Sequence, residues 1–131
     1  MAETPYSVRA RAVIREHIRY VVDLKHADKA SSGHPDSSFT RYDHTLWTEF
    51  KHANPDFASQ GIQELTCKRL EQHGRCIYVI FDTLRDCITI LSPKDIGKWS
   101  PKTASKDVPF GLSCIGFDYD WLAAEIEKRL R

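Results

Sequence analysis

The chain has 131 residues, with 19 Lys and Arg against 18 Asp and Glu and a formal net charge of +1. This length is typical of one domain that buries enough apolar surface to fold without disulfides or a structural metal. The near-neutral charge excludes a uniformly basic nucleic-acid-binding chain, so any contact with a polyanion must come from a local basic patch.

The first part of the chain predicts a helix followed by a loop. From about Val8 to Lys25 apolar residues recur at spacings of three and four, and Ser7 is the predicted N-cap. The stretch from His26 to Pro35 contains several Ser, Asp and Gly residues, which predicts a loop or a short edge strand.

A β-hairpin is predicted next. Its strands are Ser37–Arg41 and Thr45–Lys51, and the turn comprises residues 42–44. Apolar and polar side chains alternate in the second strand. Because alternation has a period of two, Glu49 and Lys51 are expected on the same face of that strand.

The second half of the chain predicts helices and strands in turn. The predicted elements are a helix from Ser59 to His73 closed by Gly74, a buried strand at Cys76–Phe81, a strand at Cys87–Leu91, a loop at 92–109, and a helix at Trp121–Leu130 capped by Asp118 or Asp120.

This order predicts an α/β fold with a mixed central sheet flanked by helices on both faces. The connection from the Glu49 strand through the second helix to the Cys76 strand is expected to be parallel and right-handed. We expect a single domain, in which residues 8–91 form the core and residues 92–131 form an extension of loop, strand and helix.

The four cysteines form no CxxC pair, and they predict reduced thiols in a cytosolic protein. A zinc site that combines them with some of the six histidines is the alternative. We find no signal peptide and no membrane-spanning segment in the sequence, so a cytoplasmic location is expected.

Three residues around the predicted hairpin suit phosphodiester hydrolysis. Asp36 precedes the first strand, and Glu49 and Lys51 share a face of the second. Mg²⁺ prefers oxygen ligands and takes one or two carboxylates, so Asp36 and Glu49, with the Phe50 backbone carbonyl between the two strand side chains, predict a metal site. Lys51 would orient water or neutralise transition-state charge. Asp23-Leu24-Lys25 has the same spacing, but it falls on the predicted first helix, where its side chains would diverge.

These residues lie within a longer motif. Gly33-His34-Pro35-Asp36, then Trp47-Thr48-Glu49-Phe50-Lys51, then Gln63, Gly74 and an apolar strand resemble the VRR-NUC branch of the PD-(D/E)XK nucleases, which is similar to Holliday-junction resolvases. The resemblance covers about residues 9–82 and implies a restriction-endonuclease-like αβββαβ core. It also implies Mg²⁺ or Mn²⁺ bound by Asp36 and Glu49, and a catalytic Lys51 supported by Gln63. Glu16 is the candidate for an acidic metal ligand from the first helix.

The function implied is a divalent-metal-dependent DNA endonuclease of bacterial or phage origin, and selectivity for branched or flapped DNA is one option. RNA as substrate stays open. The alternative is a non-catalytic nucleic-acid-binding or assembly module on a nuclease fold. A homodimer is expected because cutting both strands needs two sites, and residues 107–121 offer apolar material for its interface or for the chain's own core. The arginines of the first helix are candidates for phosphate contacts: Arg9, Arg11, Arg15 and Arg19.

Overall fold

The computed structural model of the chain describes residues 5–25, 35, 37–53, 69–70, 72, 75–98 and 112–131. In chain order the described elements are α1 (Pro5–His17), β1 (Val22–Lys25), β2 (Ser37–Arg41), β3 (His44–Ala53), β4 (Cys76–Asp82), β5 (Cys87–Leu91), a 3-10 helix (Pro93–Lys98), β6 (Leu112–Ile115) and α2 (Tyr119–Arg129).

The six described strands form one sheet in which they follow the order of the sequence. β3 and β4 are parallel, and every other neighbouring pair is antiparallel. The prediction of an α/β fold with a mixed sheet is therefore confirmed, as is the parallel pairing of the Glu49 strand with the Cys76 strand. The handedness of their connection depends on residues 54–68, which lie outside the described residues.

Both described helices pack on the same side of the sheet, which we call the helix face. The apolar core lies between them and the strands, and its members include Ala10 and Ile14 of α1, Phe39, Leu46, Phe50, Val79 and Phe81 of the sheet, and Leu122 and Ile126 of α2. Because β6 joins the sheet and α2 joins this core, the described part of the extension belongs to the same folded unit as the rest.

The opposite side of the sheet, which we call the site face, carries the alternate residues of each strand. On β3 these are Trp47, Glu49 and Lys51, and on β4 they include Tyr78 and Ile80. Tyr78 and Ile80 have no exposed surface, so this face is also covered at its centre. The helix predicted at 59–73 falls mostly outside the described residues.

The predicted hairpin is confirmed and its strands are slightly longer. β2 has the predicted bounds, Ser37–Arg41, whereas β3 begins at His44 and continues to Ala53. The turn therefore contains only Tyr42 and Asp43, since His44 pairs with Arg41. β4 and β5 match the predicted strands, and β4 is buried along its whole length as a central strand should be.

The predicted first helix is wrong in its second half. α1 begins at Pro5 and ends at His17, so Ser7 is a buried residue inside the helix and not its N-cap. Tyr20 has a φ of 64°, a left-handed conformation that no helix interior contains. Val22–Lys25 then forms the edge strand β1. Val22 and Leu24 fit a period of two as well as they fit helical spacing, and this ambiguity caused the error.

The C-terminal part agrees with the predictions in outline. Residues 93–98 form a 3-10 helix in the stretch predicted as loop, and residues 99–109 lie outside the described residues. Asp118 is the N-cap of α2, and its side chain accepts from the Trp121 amide at 2.9 Å. No helix in the described ranges has the length and apolar character to cross a membrane. Cys76, Cys87 and Cys114 are free thiols, and Cys67 is outside the described residues.

Candidate active site

Glu49 lies on the site face in the middle of β3. Its neighbours Thr48 and Phe50 point to the helix face, and Phe50 belongs to the core there. Only 4% of Glu49 is exposed. A carboxylate in this position loses most of its hydration, and glutamate is almost never buried to this extent without a partner or a function. Its burial alone fits either a structural interaction or a metal-binding role, and its place in the Glu-x-Lys motif makes Glu49 a candidate for the second.

Lys51 follows Glu49 by two residues on the same face. The two Cα atoms are about 6.6 Å apart along an extended strand, and the register with β4 places Glu49 beside Tyr78 and Lys51 beside Ile80. Lys51 is half-buried, so its long side chain can follow the strand toward the Glu49 carboxylate or reach solvent. The prediction that Glu49 and Lys51 share one strand face agrees with this register.

Phe50 is held from the helix face. Its ring stacks on Phe81 at 5.7 Å and meets Phe39 edge-on at 6.3 Å, and these contacts fix the backbone between Glu49 and Lys51. The Trp47 amide donates to the Arg75 carbonyl on the β4 side at 2.7 Å. Because backbone groups alternate in direction along a strand, the Phe50 carbonyl faces the other side, toward β2.

Asp36, the predicted second metal ligand, directly precedes β2 in the sequence. Ser37 pairs with Thr48, directly before Glu49, and Asp36 directly precedes Ser37. Asp36 and Gln63 themselves lie outside the described residues. Within the described ranges no group of three His, Cys, Asp or Glu side chains comes together to hold a metal. A metal site therefore requires Asp36 beside Glu49, a donor set of two carboxylates and a carbonyl that suits Mg²⁺.

Glu16 is not brought together with Glu49. It lies on α1, which packs on the helix face, whereas Glu49 points to the site face. Glu16 instead lines a cavity of about 510 Å³ between α1 and the start of α2, together with Arg9, His17 and Asp118. Burial raises the pKa of Tyr119 in the same cavity, and the positive charge of Arg9 opposes this. The sheet separates this cavity from Glu49 and Lys51.

Two polar residues of β4 were not singled out by sequence reasoning. Tyr78 is fully buried beside Glu49, and Asp82 is 1% exposed at the carboxyl end of the same strand face. Both follow the period of two within an otherwise apolar run, which is the signal that could have found them. Asp82 has a structural role, because it accepts from the amides of Leu84 at 3.0 Å and Arg85 at 3.1 Å and pairs with the Arg85 guanidinium.

Cys87 and His52 lie near Glu49 in the sheet, and their side chains could act as a nucleophile or in proton transfer, but their surroundings disfavour both roles. Burial raises the pKa of the Cys87 thiol and the negative charge of Asp82 adds to this, so the thiol stays protonated at neutral pH. The His52 ring contacts the Thr83 hydroxyl at 3.1 Å and lies 5.1 Å from the ring of Tyr6, on α1. His52 therefore belongs to the helix face and not to the Glu49 side.

The predicted row of helix arginines is divided among different partners. Arg11 is buried and donates to the Ser37 hydroxyl, and its Nε lies 3.8 Å from Asp23 Oδ1. Arg15 also pairs with Asp23, and Arg19 lies over the ring of Tyr20. Asp23 and Lys25 lie on strand β1 and share a face. The prediction that they lie on a helix, where their side chains would diverge, is therefore wrong. The pairing of Asp23 with two arginines of α1 gives it a structural role instead.

No known protein family and no curated protein sequence matches this chain. The resemblance to PD-(D/E)XK nucleases therefore depends on the motif residues alone. Of these, Glu49, Phe50 and Lys51 lie in β3, while Asp36 and Gln63 fall outside the described residues.

Proposed function

We propose that this chain is a divalent-metal-dependent endodeoxyribonuclease. The observation that carries the proposal is the buried Glu49 with Lys51 on the same face of β3, in the middle of its parallel pairing with β4. The Phe50 carbonyl faces β2, the strand that Asp36 precedes in the sequence, so Asp36, Glu49 and this carbonyl would supply three oxygen donors.

The metal would be Mg²⁺ or Mn²⁺, held by Asp36, Glu49 and the Phe50 carbonyl. When bound, it would lower the pKa of a coordinated water and neutralise charge on the phosphate. Glu16 is left out of this set because it lies across the sheet. No covalent enzyme intermediate is required. Burial raises the pKa of the Cys87 thiol, which disfavours it as a nucleophile.

Lys51 acts on the reacting atoms. Its ammonium group orients the attacking water and stabilises the negative charge that develops on the phosphate oxygens. The water gives a proton to solvent and its oxygen forms the new bond to phosphorus. The bond to the leaving sugar oxygen breaks, and that oxygen takes a proton from solvent. Gln63 would support Lys51 or contact the phosphate. Since Phe50 is packed between Phe39 and Phe81, the strand holds Lys51 in a fixed register with Glu49.

Cleavage of a panel of linear, flapped and four-way DNA with Mg²⁺, with Mn²⁺ and with a chelator tests the proposal. We expect metal-dependent cutting that Glu49→Gln abolishes while the circular dichroism spectrum stays unchanged. Asp86→Asn is the matched control, because it also removes one carboxylate charge but at an exposed turn position whose φ of 55° asparagine tolerates. Cleavage by Glu49→Gln at the wild-type rate would refute the assignment.

A non-catalytic nucleic-acid-binding module is the second candidate. A protein that binds the panel but cuts none of it with either metal would be such a module. An RNA version of the linear substrate, assayed beside the DNA, decides which nucleic acid is cut. The shared strand face of Glu49 and Lys51 favours the enzyme, because a surface that only binds nucleic acid has no need of a carboxylate metal ligand beside a lysine.

We also propose that the chain acts as a homodimer, because symmetric cutting of two strands needs two sites. Within the described part of the apolar stretch considered for the interface, Cys114, Phe117, Tyr119 and Trp121 pack against the chain's own core. Residues 107–111 lie outside the described residues. β6 is the edge strand of the described sheet, and Leu112 on it is half exposed, which leaves this edge for a second copy. A strictly monomeric mass by light scattering, free and bound to a four-way junction, would make flap or nick processing the better assignment.

A further inference from the structure

Two exposed tyrosines occupy the same end of the sheet. Tyr20 precedes β1 and is 70% exposed, and Tyr42 follows β2 in the hairpin turn and is 73% exposed. β1 and β2 are antiparallel with Val22 opposite Thr40, so the start of β1 lies beside the end of β2. The two tyrosines, each two residues beyond this pair, therefore lie at the same end of the sheet, about 20 Å along β3 from Glu49.

An arginine guanidinium lies over each tyrosine ring. The guanidinium carbon of Arg19 lies 5.4 Å from the ring centre of Tyr20, and that of Arg41 lies 5.4 Å from the ring centre of Tyr42. In both cases the arginine is the preceding residue in the chain. Arg41 is also anchored by Glu127 of α2 at 3.6 Å, which fixes its guanidinium beside the ring. The same local arrangement thus occurs twice at one end of the sheet.

Both tyrosines also have strained backbones. Their φ angles are 64° for Tyr20 and 59° for Tyr42, in the left-handed region that suits Gly and Asn and is unfavourable for a bulky aromatic residue. Neither ring is buried, so packing in the core does not explain why a tyrosine stands at these positions. Strain of this kind, at residues whose side chains face solvent, is a feature of binding sites.

An apolar strip connects this end of the sheet with the candidate active site. Val22 and Leu24 lie on the site face of β1, and each is about half exposed. They run from Tyr20 toward the end of the sheet where Lys25 pairs with Ser37 and Ser37 pairs with Thr48, next to Glu49. Asp43, in the same hairpin turn as Tyr42, is paired with His44, with 3.4 Å between Oδ1 and Nε2.

We infer that Tyr20 and Tyr42, with Arg19 and Arg41, form a binding site for an unpaired strand of DNA. Exposed rings stack on bases without regard to sequence, and the exposed guanidinium of Arg19 can pair with a phosphate. Arg41, which is paired with Glu127, supports the ring of Tyr42. A distance of about 20 Å corresponds to roughly six nucleotides at 3.4 Å per step. The strand would therefore be held several nucleotides from the point of cleavage. This inference rests on the proposed function, since it specifies the part of the substrate that the chain holds.

Binding without cleavage tests this inference separately. A labelled oligodeoxythymidine of about 16 nucleotides is titrated in chelator, with fluorescence anisotropy as the readout. The variant is Tyr20→Asn with Tyr42→Asn, because asparagine removes both rings and accepts a positive φ. We expect binding at least tenfold weaker than wild type. Tyr20→Phe with Tyr42→Phe, which keeps the rings, should bind like wild type, and so should Val8→Ala, which trims an exposed apolar side chain of α1.

A second measurement does not depend on affinity. Photo-crosslinking of an iododeoxyuridine oligonucleotide should label a peptide that contains Tyr20 or Tyr42. Unchanged binding by the double asparagine variant, or a loss equally large on blunt duplex, would overturn the inference and leave the nuclease proposal intact. If wild type instead binds the single strand through these tyrosines but cuts no DNA, the nuclease proposal fails and this inference stands.

Discussion

Asp23 of β1 accepts a hydrogen bond from Arg15 of α1, with 2.7 Å between Oδ2 and Nη1. Asp23 is 5% exposed, and the buried Arg11 lies on its other oxygen. This carboxylate therefore connects the first helix to the edge strand. Since Arg11 also donates to Ser37, the same cluster fixes the start of β2, the strand that Asp36 precedes.

Asp23→Ala should destabilise the fold strongly. Removing the carboxylate leaves the charge of Arg11 buried without its ionic partner, and such changes cost about 3 kcal/mol or more. Urea denaturation measures the loss. Arg15→Ala is the matched control, because Arg15 is 55% exposed and its pairing should contribute less than about 1 kcal/mol. Equal losses for the two variants would contradict a central role for the buried pair.

Lys51→Ala should lower the cleavage rate by about 10²- to 10³-fold, because its charge acts mainly on the transition state. Binding of uncleaved DNA in chelator should change little. Lys94→Ala removes an exposed lysine of the 3-10 helix and should retain wild-type turnover. A Lys51→Ala enzyme with full activity would reduce the Glu-x-Lys spacing to a coincidence.

Tyr42→Asn should make the protein more stable and a weaker binder. Asparagine relieves the positive φ at this turn position, and a gain of about 0.5 to 1 kcal/mol is typical of such a change. The exposed ring contributes little packing, so little is lost. Thermal unfolding and anisotropy on the same preparation give both quantities. Lower stability in Tyr42→Asn would show that the ring is needed by the fold itself.

Glu125 should contribute a small stability term that disappears in acid. The hydrogen bond from Lys128 holds its pKa below the usual value, partial burial opposes this, and Arg129 adds to the lowering. A carboxylate with a depressed folded pKa stabilises the protein above its unfolded pKa, about 4.3, and the contribution is lost as the pH falls through the folded value. Glu125→Gln should therefore cost about 0.5 kcal/mol at neutral pH, and this cost should shrink as the pH falls through the lowered folded pKa.

Lys128→Ala provides the check on this assignment. With the ammonium group removed, the additional effect of Glu125→Gln should shrink, and a double-mutant cycle measures the coupling. An undiminished effect in the Lys128→Ala background would assign the contribution of Glu125 to something other than this pair.

The strands could be predicted from the sequence where a single periodicity was possible. Cys76–Phe81 is too short and too apolar for a surface helix, and Thr45–Lys51 alternates over its whole length. Val22–Lys25 was misread because four residues cannot distinguish the two periods, and the decisive feature is the positive φ of Tyr20, which sequence does not reveal in a tyrosine.

The candidate site could be predicted in part for a similar reason. A period of two is enough to place Glu49 and Lys51 on one face. The separation of Glu16 from them could not be predicted, because it depends on which side of the sheet α1 packs. The tyrosine pair depends on the register between β1 and β2, and β1 was itself unrecognised.

The sheet consists of two antiparallel three-stranded halves, β1–β2–β3 and β4–β5–β6, joined only along the parallel seam between β3 and β4. Within each half every strand pairs with its neighbour in the sequence, so these contacts are inexpensive in loop-closure entropy and should form early. The parallel pairing of β3 with β4 can form only when the two halves dock. Glu49 and Tyr78 are neighbours across the seam, so we expect the last event of folding to be also the one that assembles the candidate site.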